Sequence, residues 1–193
     1  MPDRPPMKHL YYPQERQGLV QRPGLGLIHV CFGQGVGKST RSVGLAVRAA
    51  SAGLRVFFVQ FMKSGDSSEV KFLSQTENII YRCPGKHPFI LSKGPQAVHY
   101  EHAEEALWYA KRAQKEGAEV IICDEMLSAL VFEVLSMDSA LELIESCRGQ
   151  TELVLTGIDA APEIIAAADY ATEFKAVKHP YYKGHLARKG IEY

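Results

Sequence analysis

The stretch Gly33-Gln34-Gly35-Val36-Gly37-Lys38-Ser39-Thr40 joins an apolar run over residues 25–32 to a helix-periodic segment that begins at Arg41. A glycine-rich loop between a strand and a helix presents backbone N–H groups to phosphate oxygens at a positively polarised helix start. Lys38 adds a positive charge, and the Ser39 hydroxyl is placed to reach a Mg²⁺ ion. The stretch therefore predicts a strand–loop–helix unit that binds a nucleoside triphosphate.

The loop is shorter than the general phosphate-loop pattern, in which the first glycine stands five residues before the position of Gly37. Phe32 occupies that position, and Gly33 lies only four residues ahead. A chance match to the shortened pattern has a probability of roughly 1 in 100 in a chain of this length. The alternative interpretation, a turn that happens to contain three glycines and a lysine, also requires the flanking strand and helix patterns to be coincidental.

The composition indicates one globular domain without a polyanionic partner. The chain has 193 residues, of which 46% are hydrophobic and 23% charged, and its formal net charge is zero. These values predict a substantial core, and they favour neither nucleic acid nor an anionic membrane as a ligand. No apolar stretch reaches 18 residues, and the N-terminus lacks the apolar segment of a secretory signal. We therefore expect a cytoplasmic location.

The cysteines argue against a metal knuckle or a redox centre. No Cys-x-x-Cys pair occurs, and the four cysteines are scattered at Cys31, Cys83, Cys123 and Cys147. Such spacing favours reduced thiols in a cytoplasmic protein.

Strand and helix patterns alternate along the chain after a proline-rich and charged N-terminal arm, residues 1–23, which we expect to be flexible. The strand patterns cover residues 25–32, 56–61, 79–83, 119–123, 152–156 and 170–177, and the helix patterns cover residues 37–52, 69–75, 98–117, 126–135, 139–148 and 162–168. This alternation predicts a three-layer α/β domain over residues 24–193, of the P-loop (RecA-like) type, with a mainly parallel sheet.

An acidic pair follows the short apolar strand pattern over residues 119–123. Asp124 and Glu125 are placed there to hold Mg²⁺ directly or through water. The alternative is an acidic pair that stabilises the start of the next helix, and the two interpretations are compatible.

A second candidate metal site involves two histidines on one helix pattern. His99 and His102 are three residues apart among glutamates, but no third ligand is evident. A solvated helix face explains the same residues and is the favoured interpretation.

Several motifs together resemble the ATP:corrinoid adenosyltransferases of the BtuR/CobO type. They lie between residues 26 and 193 and comprise the shortened loop over 33–40, Gly44-Leu45-Ala46-Val47-Arg48-Ala49-Ala50, Val59-Gln60-Phe61-Met62-Lys63, Cys123-Asp124-Glu125-Met126, Thr156-Gly157, Val177-Lys178-His179-Pro180 and Ala187-Arg188-Lys189-Gly190-Ile191-Glu192-Tyr193. The shortened phosphate loop is itself a feature of that family.

The resemblance implies transfer of the 5′-deoxyadenosyl group of MgATP to the cobalt(I) of a corrinoid, with release of triphosphate. It implies catalytic roles for Lys38 and Glu125, and Mg²⁺ ligands at Ser39, Asp124 and Glu125. It further implies a homodimer and a reductant such as a reduced flavoprotein. The ATP contacts implied are Gly33, Gln34, Gly35, Val36, Gly37, Lys38, Ser39, Thr40, Arg48, Lys178 and His179, and the corrinoid contacts are Gln60, Lys63, Glu69, His87 and Phe89.

The chain departs from the family pattern at three places. Val36 stands where the family commonly has a second lysine, Ile158 where an arginine usually follows Thr-Gly, and residues 85–89 replace a Gly-Phe-Thr-Trp stretch. Two other functions are compatible with the motifs. One is a divergent paralogue that binds ATP or a corrinoid without catalysis, and the other is a P-loop phosphotransferase or NTPase.

Overall fold

A computed structural model describes residues 24–85, 90 and 94–193. The strands of this part of the chain are Ile28–Phe32 (β1), Val56–Gln60 (β2), Ile79–Arg82 (β3), Val120–Asp124 (β4), Glu152–Gly157 (β5) and Tyr170–Glu173 (β6). The helices are Lys38–Ser51 (α1), Glu69–Gln75 (α2), Ala97–Lys115 (α3), Met126–Val131 (α4), Met137–Cys147 (α5) and Pro162–Ala166 (α6), with a 3₁₀ helix at Pro180–Lys183.

The six strands form one sheet in the order β3-β2-β4-β5-β1-β6, and every neighbouring pair is parallel. The predicted α/β class with a parallel sheet is therefore confirmed. Strand β5 separates β1 from β4, so the carboxyl ends of β1 and β4 lie on the same edge, roughly 10 Å apart. This edge brings the loop after β1 close to the acidic pair at the end of β4.

Helices cover both faces of the sheet. Every residue of β2 and β4 is buried, as continuous apolar runs predict for parallel strands covered on both sides. Helix α3 packs against one face through Ala103, Ala106, Leu107, Ala110 and Ala113, and this face also receives α4 and α5. On the other face α1 packs through Ala46, Ala49 and Ala50. Layers of helices on both sides of one sheet give the three-layer architecture.

Several predicted bounds are wrong by a few residues, and local backbone conformation explains two of them. Strand β1 begins at Ile28 instead of residue 25, since Gly26 lies just before it with a φ of 113°. Helix α4 ends at Val131 instead of residue 135, because Glu133 adopts a φ of 56°, which a right-handed helix does not allow. Strand β6 ends at Glu173 instead of residue 177.

The two histidines of α3 do not lie on a fully solvated helix face, as the favoured interpretation had it. His99 is buried and forms a reciprocal cap with Gln96 at the helix start, where the Gln96 N–H donates to His99 Nδ1 at 2.9 Å. His102 is half-buried. No group of three or more potential metal-ligating side chains occurs within the described ranges.

Three further predictions concern the cysteines, membrane-spanning helices and the N-terminal arm. All four cysteines are free thiols. None of the helices in the described ranges is long and apolar enough to cross a bilayer. The predicted N-terminal arm, residues 1–23, lies outside the described residues.

Candidate active site

The phosphate loop leads from β1 into α1 with the helix start open to a ligand. Gly37 occupies the N-cap position with a φ of 109°, and no side chain caps the first turn. The N–H groups of that turn are therefore not satisfied by a cap, and they carry the positive end of the helix dipole. This geometry is suited to binding an anion.

Lys38 lies in this loop and donates hydrogen bonds to backbone carbonyls. Its Nζ contacts the carbonyl oxygens of Gly33 at 2.7 Å and Gly35 at 2.9 Å. Burial lowers the pKa of Lys38, although the charges of Glu125 and Asp124 oppose that effect. The nearby carboxylates offset only part of the cost of burying the Lys38 ammonium group, so a bound phosphate would stabilise that charge.

Phe174, which follows β6, packs against the loop. The Gly35 N–H donates to the Phe174 carbonyl at 2.7 Å, and the Phe174 N–H donates to the Phe32 carbonyl at 2.7 Å. A Cβ atom on Gly33 would lie 2.5 Å from the Phe174 oxygen, and one on Gly35 would lie 2.7 Å from its carbonyl carbon. Glycines are therefore required here by the neighbouring backbone, and the Gly35 N–H is occupied in this conformation.

Asp124, at the end of β4, is the centre of a buried hydrogen-bond network. Its side chain is 0% exposed. It accepts hydrogen bonds from Ser39 Oγ at 3.0 Å, Lys63 Nζ at 2.7 Å, Gln60 Nε2 at 3.2 Å and Thr156 Oγ1 at 2.8 Å. Four donors from four segments satisfy a carboxylate that is costly to bury without partners.

Lys63 is the positively charged member of this network. Its Nζ also donates to Ser39 Oγ at 2.9 Å. Burial by itself lowers the pKa of Lys63, but the charge and hydrogen bond of Asp124, with smaller effects of Glu125 and Glu69, produce a net increase. Lys63 is therefore held charged beside Asp124.

Glu125 lies at the wall of the cleft in an uncommon backbone conformation. Its φ of 63° is left-handed, which is unfavourable for a residue with a side chain. The Glu125 N–H donates to Thr156 Oγ1 at 2.9 Å, and Ser128 Oγ donates to the Glu125 carboxylate. Ser128 Oγ accepts in turn from the Ile158 N–H at 3.0 Å. These bonds hold the carboxylate beside the phosphate loop.

The oxygen donors at this edge fit a magnesium ion. Ser39 Oγ directly contacts Asp124, and Glu125 is the next residue. Hydroxyl and carboxylate oxygens are the ligands that Mg²⁺ prefers, and it commonly uses one or two carboxylates together with substrate phosphates. The Lys63 ammonium group between Ser39 and Asp124 indicates that this position favours a cation.

An open cleft of about 540 Å³ lies over the loop. Its polar lining residues include Lys38, Lys63 and Glu125. It is also lined by large apolar side chains, namely Met62, Ile90, Phe132 and Ile158. A charged group and a bulky apolar group can therefore bind side by side in one cleft.

The remaining predicted ATP contacts lie in two places, the phosphate loop with the start of α1 and the segment after β6. Gln34, Val36 and Thr40 are exposed residues of the loop or of the first turn of α1. Lys178 is exposed, and His179 Nδ1 accepts from the Tyr181 N–H at the start of the 3₁₀ helix. His179 and Val36 line a common cavity of about 390 Å³.

Arg48 lies at the far end of α1 from the phosphate loop. It is exposed in the last turn of α1, roughly 15 Å along the helix axis from Lys38. The predicted contact between Arg48 and ATP stays a prediction.

Gln60 is the first of the predicted corrinoid contacts. It is 1% exposed, and its amide donates to Asp124 and accepts from the Tyr81 hydroxyl at 2.7 Å. Gln60 therefore helps to orient Asp124, and its contact with a corrinoid stays a prediction. Glu69 is half-buried at the start of α2. His87 and Phe89 lie outside the described residues.

Sequence reasoning did not assign Thr156, Ser128 or Phe174 to the site. Thr156 is the last residue of a predicted core strand, and its position at the same sheet edge as Asp124 was a signal for a shared contact. The glycines of the loop indicated a close approach, but no local signal identified Phe174 as the approaching residue.

The chain is similar to known proteins of one family. The family model for ATP:corrinoid adenosyltransferase BtuR/CobO/CobP matches residues 24–193. A corrinoid adenosyltransferase of Pseudomonas aeruginosa is 32% identical over 171 residues, which cover 87% of this chain and 84% of that protein. One from Sinorhizobium is 28% identical over 87% and 80% of the two chains, and one from Escherichia coli K12 is 25% identical over 87% and 86%. By the extent of these matches, the chain belongs to the ATP:corrinoid adenosyltransferase family.

Proposed function

We propose that this chain binds MgATP at the phosphate loop and transfers its 5′-deoxyadenosyl group to a corrinoid held in the same cleft. Family membership supports the activity itself. The observation that carries the placement is that Lys38 and large apolar side chains line one cleft of about 540 Å³. The triphosphate then lies at the loop, and the face of the corrin ring packs against the apolar side chains of the cleft.

The reaction requires little acid–base chemistry from the protein. The electron pair of cobalt(I) forms the bond to the 5′-carbon of ATP, the bond from that carbon to the phosphate oxygen breaks, and triphosphate leaves with the electron pair. The protein has to align the 5′-carbon with cobalt, neutralise the leaving group and exclude water. The uncapped start of α1 and Lys38 support the second of these tasks.

The proposed metal ligands are Ser39, Asp124 and Glu125. When bound, Mg²⁺ supplies positive charge to the departing triphosphate. Thr156 and Gln60 hold Asp124 in position, and Ser128 holds Glu125. This arrangement keeps the two carboxylates oriented while the metal and nucleotide bind.

The proposal extends to partners and location. The reaction consumes cobalt(I), so a reductant such as a reduced flavoprotein is the proposed electron donor. We also propose a homodimer, a cytoplasmic location, and corrinoid contacts from Lys63, Glu69, His87 and Phe89. Lys178 and His179 are proposed to contact ATP, since His179 lines a cavity with loop residue Val36.

The proposed function is tested by anaerobic incubation with MgATP and chemically reduced cobalamin. We expect the visible spectrum to change to that of an alkylated corrinoid, with one triphosphate released per cobalt–carbon bond. ADP or phosphate as the product would identify a phosphotransferase or NTPase instead. Bound ATP without any spectral change would identify a non-catalytic binding protein.

A further inference from the structure

The ammonium group of Lys63 occupies the position between the two groups proposed to hold magnesium. It lies 2.7 Å from Asp124 Oδ2 and 2.9 Å from Ser39 Oγ. The Asp124 side chain is fully buried, whereas the Lys63 side chain is 22% exposed. Lys63 therefore reaches an inaccessible carboxylate from the cleft.

A buried carboxylate requires a positive partner when no metal is bound. The other donors to Asp124 are the neutral groups of Ser39, Gln60 and Thr156. Lys63 provides the charge, and an uncompensated charge in this environment is strongly destabilising. The ion pair thus keeps the metal position intact in the absence of ligand.

The ammonium group and Mg²⁺ compete for the same position. Both contact Ser39 Oγ and Asp124, and two cations at such short separation repel each other. Because the Lys63 stem is long and flexible, its head group is able to leave without movement of β2.

We propose that Lys63 is an exchangeable internal cation, bound to Asp124 in the ligand-free protein and displaced when Mg²⁺ arrives with ATP. This inference rests on the proposed function, because it requires MgATP in the cleft. Lys63 and Lys38 line the same cleft, so the displaced ammonium group has a triphosphate within its surroundings to bind. Lys63 then adds a positive charge to a cleft in which Ile158 replaces the arginine that is usual in the family.

Lys63→Met separates the two roles through measurements that do not depend on activity. Electron paramagnetic resonance with Mn²⁺ as the probe reports metal binding to the nucleotide-free protein. We expect the variant to bind Mn²⁺ roughly tenfold or more tightly than the wild type, because the competing ammonium group is removed. Calorimetry with ATP in the presence of a chelator should show a smaller change in affinity, because without Mg²⁺ the Lys63 ammonium group stays paired with Asp124.

Lys71→Met is the matched control, since Lys71 is an exposed lysine on α2 and should change neither value. Unchanged or weaker Mn²⁺ binding by Lys63→Met overturns the inference. If that variant does not fold, Lys63→Gln keeps a hydrogen-bond donor to Asp124 and is judged by the same criterion. Failure of the wild type to bind ATP would contradict the proposed function, whereas normal ATP binding with unaltered Mn²⁺ affinity contradicts only this inference.

Discussion

At the scale of residues, the site contains two lysines in opposite environments. Lys38 donates to backbone carbonyls, and burial lowers its pKa. Lys63 pairs with Asp124, and the net effect of its surroundings raises its pKa despite burial. The cation that a phosphate can stabilise most is therefore Lys38, whereas Lys63 is already compensated.

Lys38→Met should weaken ATP binding by about tenfold to a hundredfold, because a charge-assisted phosphate contact is lost. The ligand-free protein should keep most of its stability, since the change also removes a charge that is unfavourable to bury. Calorimetry and the ATP-induced increase in Tm measure the two effects. Lys115→Met, at the exposed end of α3, is the control. Unaltered ATP affinity in Lys38→Met would contradict the placement of the site.

Val36→Lys should strengthen ATP binding by about tenfold, because it adds a charge-assisted contact beside the loop. Val36 is 68% exposed, so a lysine there loses no packing. Titration of Val36→Lys and of the uncharged Val36→Met against ATP distinguishes charge from size. Equal affinities in the two variants would show that position 36 does not face the phosphates.

At the scale of elements, the phosphate loop is shaped by its contact with the chain after β6. Phe174 accepts from the Gly35 N–H and lies too close for a side chain at either Gly33 or Gly35. The loop conformation therefore depends on a segment about 140 residues away in sequence. Part of the glycine content of the motif serves this contact rather than phosphate binding.

Gly35→Ala should destabilise the protein by about 1–3 kcal/mol, because the added methyl group overlaps the backbone of Phe174. Gly44→Ala is the matched control, since Gly44 lies inside α1 with open space around it. That change should instead add about 0.5–1 kcal/mol through improved helix propensity. Denaturant unfolding measures both, and equal effects of the two substitutions would mean that Phe174 does not constrain the loop.

At the scale of the whole molecule, the sheet order brings the ends of β1, β4 and β5 to one edge, and the core on one face of the sheet buries two thiols, Cys123 and Cys147. Burial raises the pKa of Cys147 to about 11, and it raises the pKa of Cys123 well above the usual value. Both thiols are therefore protonated in the folded protein at pH values where unfolded thiols ionise.

Stability should consequently fall as pH rises. The folded-state pKa of Cys147 is raised, so the contribution of this thiol to the free energy of unfolding is complete below the unfolded value near 9.0. That contribution is lost as the pH approaches about 11. The free energy of unfolding should decline between about pH 8 and about pH 10.5. Cys147→Ala should reduce that slope while lowering stability at neutral pH through the lost volume. An identical slope in the variant would contradict the assignment.

Local patterns predicted the strands, the helices and the position of the loop with errors of a few residues. Apolar strand patterns identified β2 and β4, and a helical pattern over residues 98–117 identified α3. The end of α4 was placed too late, because the left-handed conformation of Glu133 leaves no signature in hydrophobic periodicity.

The candidate site likewise contains features that the sequence predicts and contacts that only the fold determines. The amino-acid sequence by itself determined the phosphate loop, the acidic pair and the family, since these depend on residues adjacent in the chain. Tertiary structure decided that Gln60 donates to Asp124, that Arg48 lies at the far end of α1 from the loop, and that Lys63 pairs with Asp124. Contacts such as Ser39 to Asp124 join residues 85 positions apart, and only the folded sheet specifies which distant side chains meet.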